Sequence, residues 1–132
     1  MPFAERELGR EGVVVVTVDH ELSADRYGNP GLEALATPAL LGLFEQASMR
    51  ALEGIVGTGE RSVGGSVELH HVAPTPVGAE VTVRARLTGM SGRELRFELE
   101  ASDGHEQIAR GKHSRFLVDE TKLARRLARK AR

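Results

Sequence analysis

The chain has neither cysteine nor tryptophan among its 132 residues, and aromatic side chains make up only 4%. Without cysteine there is no disulfide, no thiol nucleophile and no thiolate metal site. So few aromatics, none interleaved with the basic C-terminal residues, argue against base stacking and hence against nucleic acid. No apolar run approaches the ~20 residues of a membrane span, and the N-terminal stretch MPFAERELGREG is charged where a signal peptide would be apolar. An excess of one charge is missing too: 18 Lys and Arg face 19 Asp and Glu, a formal net charge of −1. That balance gives no reason to expect a polyanion or an anionic membrane as partner. A P-loop, a dinucleotide-binding glycine pattern and a Gly-x-Ser-x-Gly nucleophile elbow are absent, and the histidines show no metal-ligand spacing. The expectation is a cytoplasmic protein with no metal and no cofactor.

What is present fits one domain over residues 1–132, at 40% hydrophobic and 28% charged residues. The basic residues crowd the end: Lys122, Arg125, Arg126, Arg129, Lys130 and Arg132 mark 119–132 as a basic C-terminal helix or tail. Its cations suit the dipole of such a helix; help in attracting a phosphorylated ligand is the sharper alternative.

The β-branched run Val13–Val18, between Gly12 and Asp19, reads as a strand. Tyr27-Gly28-Asn29-Pro30-Gly31 signals a loop. From Pro38 to about Ile55 the pattern is helical, with Thr37 as its N-cap, Pro38 at the first helical position, and Gly54 and Gly57 as stop signals. Leu40, Leu43, Phe44, Ala47, Ala51 and Ile55 share one apolar face, Leu41, Ser48 and Leu52 form its shoulder, and Glu45 lies just beyond them. Residues 66–72, 80–90, 93–102 and 107–118 alternate as strands, with turns at Ser91-Gly92 and Asp103-Gly104 and a crossing loop at 73–78. One long helix on an antiparallel sheet is an α+β two-layer arrangement. Long strands leave an edge to protect, which points to a homodimer or a dimer of dimers.

Five polar residues break these apolar patterns. Glu45 is either a catalytic carboxylate or a rim glutamate that bends out to water. His71 points inward with Val67 and Leu69, as a core histidine or an acid/base group, while His70 points the other way. Thr37 caps the helix, or lies where helix N–H groups stabilise an oxyanion. Arg115 shares a strand face with Gly111 and His113, and would contact a phosphate or carboxylate or lie on the surface. Gly64-Gly65 marks a close backbone approach or the start of a strand.

Taken together in order, certain segments resemble one family. Ala36-Thr37, Gly42-Leu43 with Glu45 two residues on, Ser62-Val63-Gly64, His71, Pro76 with Gly78, and Gly111 with His113 and Arg115 match the fluoroacetyl-CoA thioesterase family of hot-dog proteins at one constant register over 36–118. The resemblance implies a hot-dog fold, one long helix wrapped by a curved antiparallel sheet, working as a dimer on an acyl-CoA substrate without a metal. By position Thr37, Glu45 and His71 match the family's catalytic residues, and Gly64 and Arg115 its ligand contacts. In the family's fluoroacetyl-specific members a longer lid carries phenylalanines over the acyl group. Here Tyr27–Ala36 is shorter and has none, and Pro38 follows the threonine directly, so another acyl group is expected. The rival is a non-catalytic hot-dog protein that binds acyl-CoA or another small apolar ligand. A hot-dog hydratase fits less well, since the Asp-x-x-x-x-His segment of that kind is missing.

Overall fold

The computed structural model describes residues 5–132; the first four positions of the charged N-terminal stretch lie outside them. Strand β1 (Glu11–Thr17) leads through two short 3₁₀ turns, His20–Leu22 and Ala24–Tyr27, to helix α1 (Thr37–Ala51). Then come β2 (Glu60–His71), β3 (Glu80–Ser91), β4 (Glu94–Ser102), β5 (Gln107–Asp119) and the terminal helix α2 (Glu120–Lys130). The five strands form one antiparallel sheet in the order β1-β3-β4-β5-β2.

The alternation read from the sequence sets the core. Val81, Val83, Ala85 and Leu87 of β3 and Leu95, Phe97, Leu99 and Ala101 of β4 are buried, while the charged residues between them are not. Leu40, Phe44, Ala47 and Ala51 of α1 close over that face. The helix packs mainly on β1 and β3. Gly12 permits this, because a Cβ there would collide with the helix carbonyl of Ala47. Both expected hairpins form, with Gly92 and Gly104 at positive φ. The 72–79 segment crosses from β2, beside β5 at one edge, to β3, beside β1 at the other.

Three boundaries differ from the sequence reading. Helix α1 starts one residue earlier, with Ala36 as the extended N-cap residue (φ −77°, ψ 142°) and Thr37 inside the first turn. The cause lies in the preceding loop. Ala36 N–H donates to Leu22 and Leu35 N–H to Thr75, which fixes the chain direction before Thr37 is reached. The helix also stops at Ala51, not near Ile55; Leu52 leaves helical geometry, and Gly54, at φ 81°, is in the turn beyond. Strand β2 begins at Glu60 rather than Ser66 and runs through both glycines, with a bulge between Gly64 and Ser66. Glycine weakens a strand but does not end one when the partner strand continues to pair.

Candidate active site

The five candidates fall into two groups at opposite ends of β2. At the first, the Thr37 hydroxyl lies 2.8 Å from His71 Nδ1. Thr37 is free to make this bond because it does not cap its helix; Ala36 holds that position, and no side chain caps it. His71 arrives from the inward face of β2, as its alternation with Val67 and Leu69 requires. Its other ring nitrogen, Nε2, is buried with no hydrogen-bond partner among the described residues. Burial pushes the His71 pKa below the ordinary histidine value, with the Ala73 backbone pulling the other way. The imidazole is therefore neutral at pH 7 and able to take a proton. A cavity of about 310 Å³ opens beside the pair, with Ala24, Leu32 and Leu35 of the 19–36 loop on its wall. Its lining contains no phenylalanine, tyrosine or tryptophan.

The second group surrounds Glu45. Its side chain keeps 37% of its exposure and accepts a hydrogen bond from Arg115 Nη1 at 3.2 Å. Arg115 is not on the surface; it is only 3% exposed. Its Nε donates to the Ser62 hydroxyl at 2.8 Å and its Nη2 to the Ser62 carbonyl at 3.0 Å. Burial lowers its pKa while Glu45 opposes that shift; an arginine nonetheless stays charged. The guanidinium is turned inward onto Ser62 and Glu45. Gly64 has a place in the same group, since a Cβ there would stand 2.7 Å from Glu45 Oε2. A hollow of about 180 Å³ between Leu41, Glu45, Gly64 and Val67 adjoins it.

Two residues of this group were not singled out from sequence. Ser62 anchors Arg115, and His113, 4% exposed, lies against it with Nε2 3.2 Å from Nη1. The signal for His113 was its place two residues before Arg115 on the inward face of β5. His70 is exposed on the outer side. Two larger hollows, about 470 Å³ lined by Thr88, Arg96, Lys112 and His113 among others and about 570 Å³ beside α2, are not lined by Thr37 or Glu45.

The two groups do not meet within one protomer. Thr37 and Glu45 are eight residues apart on α1, about 12 Å along the helix axis. Gly64 and His71 are seven residues apart on β2, about 23 Å along the strand.

Comparison with known proteins places this arrangement. The chain is 38% identical over 86 residues to the fluoroacetyl-CoA thioesterase of Streptantibioticus cattleyicolor, a match that covers 65% of this chain and 62% of that protein. The chain thus spans less than two thirds of that relative's length. A fluoroacetyl-CoA thioesterase variant solved in complex with acetyl-CoA superposes with a TM-score of 0.87 at 28% identity, over 95% of this chain and 98% of that one. A hot-dog-like protein from Thermanaerovibrio acidaminovorans shares the fold, with a TM-score of 0.86 at 24% identity over 93% and 91% of the two chains. The fold is thus the hot-dog fold expected from the sequence. The family match runs over residues 18–121, starting well before the segments read at 36–118 and taking in the 19–36 loop. With that span and the fold agreeing, the chain belongs to the fluoroacetyl-CoA-specific thioesterase family.

Proposed function

We propose that the protein hydrolyses acyl-CoA thioesters, using Thr37, His71 and Glu45. The observation that carries this reading is the Thr37–His71 pair at 2.8 Å beside an acyl-sized cavity, in a chain of this family. Water, or first the Glu45 carboxylate, attacks the thioester carbonyl carbon. The C–S bond then breaks, the CoA thiolate leaves and takes a proton, and where Glu45 attacked first, water then cleaves the acyl-Glu45 anhydride to release the carboxylic acid and restore the carboxylate. His71 moves the proton, through the nitrogen that has no partner among the described residues. Thr37 holds the attacking group or the carbonyl oxygen while bonded to Nδ1. Glu45 activates the nucleophile or itself forms the acyl intermediate.

Both groups reach one substrate if two copies pair through β2. This strand is an edge of the sheet, twelve residues long, with its outer ladder groups open. A two-fold antiparallel pairing of the β2 edges brings the Gly64 end of one copy alongside the His71 end of the other, and Gly64 and His71 each face the inner side of their own sheet. Glu45 and Arg115 of one copy then stand beside Thr37 and His71 of the second. The assembly is a homodimer with two equivalent sites, alone or as half of a dimer of dimers.

The acyl group is larger than fluoroacetyl. The cavity wall from the 19–36 loop has no phenylalanine to close over a very small acyl group. Thiol release measured across short, branched, long and aromatic acyl-CoAs tests the reading. Turnover of a bulkier chain above acetyl, with no marked preference for fluoroacetyl, is expected. Binding of acyl-CoAs without release of thiol from any of them means a binding protein instead.

A further inference from the structure

His113 is a histidine whose state the geometry fixes. Its Nδ1 lies 2.8 Å from the Ser66 carbonyl and its Nε2 3.2 Å from Arg115 Nη1. A carbonyl only accepts and a guanidinium only donates. Nδ1 therefore carries the hydrogen and Nε2 offers its lone pair to the arginine. A second proton on Nε2 would point at a buried cation. Burial and the Arg115 charge both hold the His113 pKa down, against the opposing pull of the Ser66 carbonyl and of Glu45. The ring also rests on Phe97, centroids 6.2 Å apart, which fixes its plane. His113 is thus a fixed neutral acceptor on the same arginine nitrogen that reaches Glu45.

We propose that His113 is a positioning residue for Glu45, acting through Arg115. The head of Arg115 has three sides to satisfy. Ser62 takes Nε and Nη2 on one side and fixes the guanidinium plane. Nη1 has two hydrogens, and His113 and Glu45 take them. With His113 holding one, the second hydrogen of Nη1 can point only toward Oε2. Gly64 shapes the fourth wall, leaving the carboxylate room that a side chain would fill. The carboxylate is thereby aimed while staying partly exposed to substrate. An oriented carboxylate matters because a misplacement of about 1 Å can cost on the order of 100-fold in rate. The kinetic readout rests on the proposed hydrolysis; the structural readout does not.

Two conservative variants separate the bonds of the ring. His113→Gln puts an acceptor where Nε2 was and keeps the contact with Arg115. His113→Asn puts its amide where Nδ1 was and keeps only the tether to Ser66. The expected result is a fall in kcat of about 10–100-fold for His113→Asn, with KM changed less than about threefold, and recovery of most of that loss in His113→Gln. Long-range ¹⁵N–¹H spectra of the full chain at pH 7 should show His113 neutral with its proton on Nδ1. Wild-type kcat in His113→Asn, no recovery in His113→Gln, or a proton on Nε2 would each overturn the proposal. If the wild type releases no thiol from any acyl-CoA, the proposed function fails separately. The crystal structure of His113→Asn then decides: an Arg115 head displaced from Glu45 supports the positioning role, and an unmoved one refutes it.

Discussion

The two inward histidines, His71 on the edge strand β2 and His113 on its neighbour β5, have opposite fates. His113 has both ring nitrogens bonded, to Ser66 and Arg115, and its proton has nowhere to go. His71 has one nitrogen on Thr37 and the other buried without a partner among the described residues. Burial lowers the pKa of both, so protonation state alone does not distinguish them. What distinguishes them is the unfilled bonding capacity of His71. A buried polar atom without a partner costs on the order of 1–3 kcal/mol, and the chain tolerates that cost at His71, where a ligand can supply the missing partner. In the proposed hydrolysis the closed end of β2 organises, and the open end reacts.

The largest expected effect tests that division. His71→Ala should lower turnover by about 10²–10⁴-fold, the range of a lost acid/base group, with the far-UV circular dichroism unchanged. His70→Ala, on the exposed outer side, should do much less. Equal losses from the two would erase the distinction between open and closed sites. Gly64→Ala comes next. Its Cβ would sit 2.7 Å from Glu45 Oε2, so the carboxylate must swing away from Arg115. A kcat reduced by about tenfold or more at near-normal KM is expected. An unchanged kcat would show that the orientation of Glu45 is unimportant.

The smallest effect is on stability. A histidine whose folded pKa lies below its unfolded value of about 6.5 binds fewer protons folded than unfolded in the window between the two. Its contribution is present above 6.5 and is lost as pH falls through the folded pKa. His71 and His113 both have this sign. Chemical denaturation from pH 7.5 down to 5 should therefore show stability falling below pH 6.5, and the His113→Gln variant should show a shallower decline. An identical profile for that variant would mean that His113 is not held neutral by its surroundings.

Much of this was legible in the sequence, and the failures have specific causes. Strands β3 and β4 alternate cleanly because one face is core and the other water. Both hairpins were marked by glycines that the turns need at positive φ. The position of Thr37 was misread because helix capping is decided by the chain before it. The backbone bonds of Leu35 and Ala36 to Thr75 and Leu22 are long-range, and no local pattern records them. The first half of β2 was missed because Gly64-Gly65 looks like a boundary, whereas pairing with β5 carries the strand through it. The alternative of Arg115 as a surface residue rested on the habits of its residue type, and the structure buries it. Its burial depends on Ser62, 53 residues away, and on Glu45, 70 residues away. Alternation along β5 did put Arg115 and His113 on one face, and the structure shows that this face is the buried one.

The central claim is that one working site takes Glu45 from one copy and Thr37 with His71 from another. The most direct measurement mixes two inactive variants, His71→Ala and Glu45→Gln, after brief dissociation and reassociation. A mixed dimer then contains one site with both residues intact and one with neither. Random re-pairing in equal amounts should restore about a quarter of wild-type activity, given the two equivalent sites of a two-fold dimer. No recovery, with mixed dimers shown to have formed by native mass spectrometry of differently tagged copies, would mean that the residues do not act across the β2 edge.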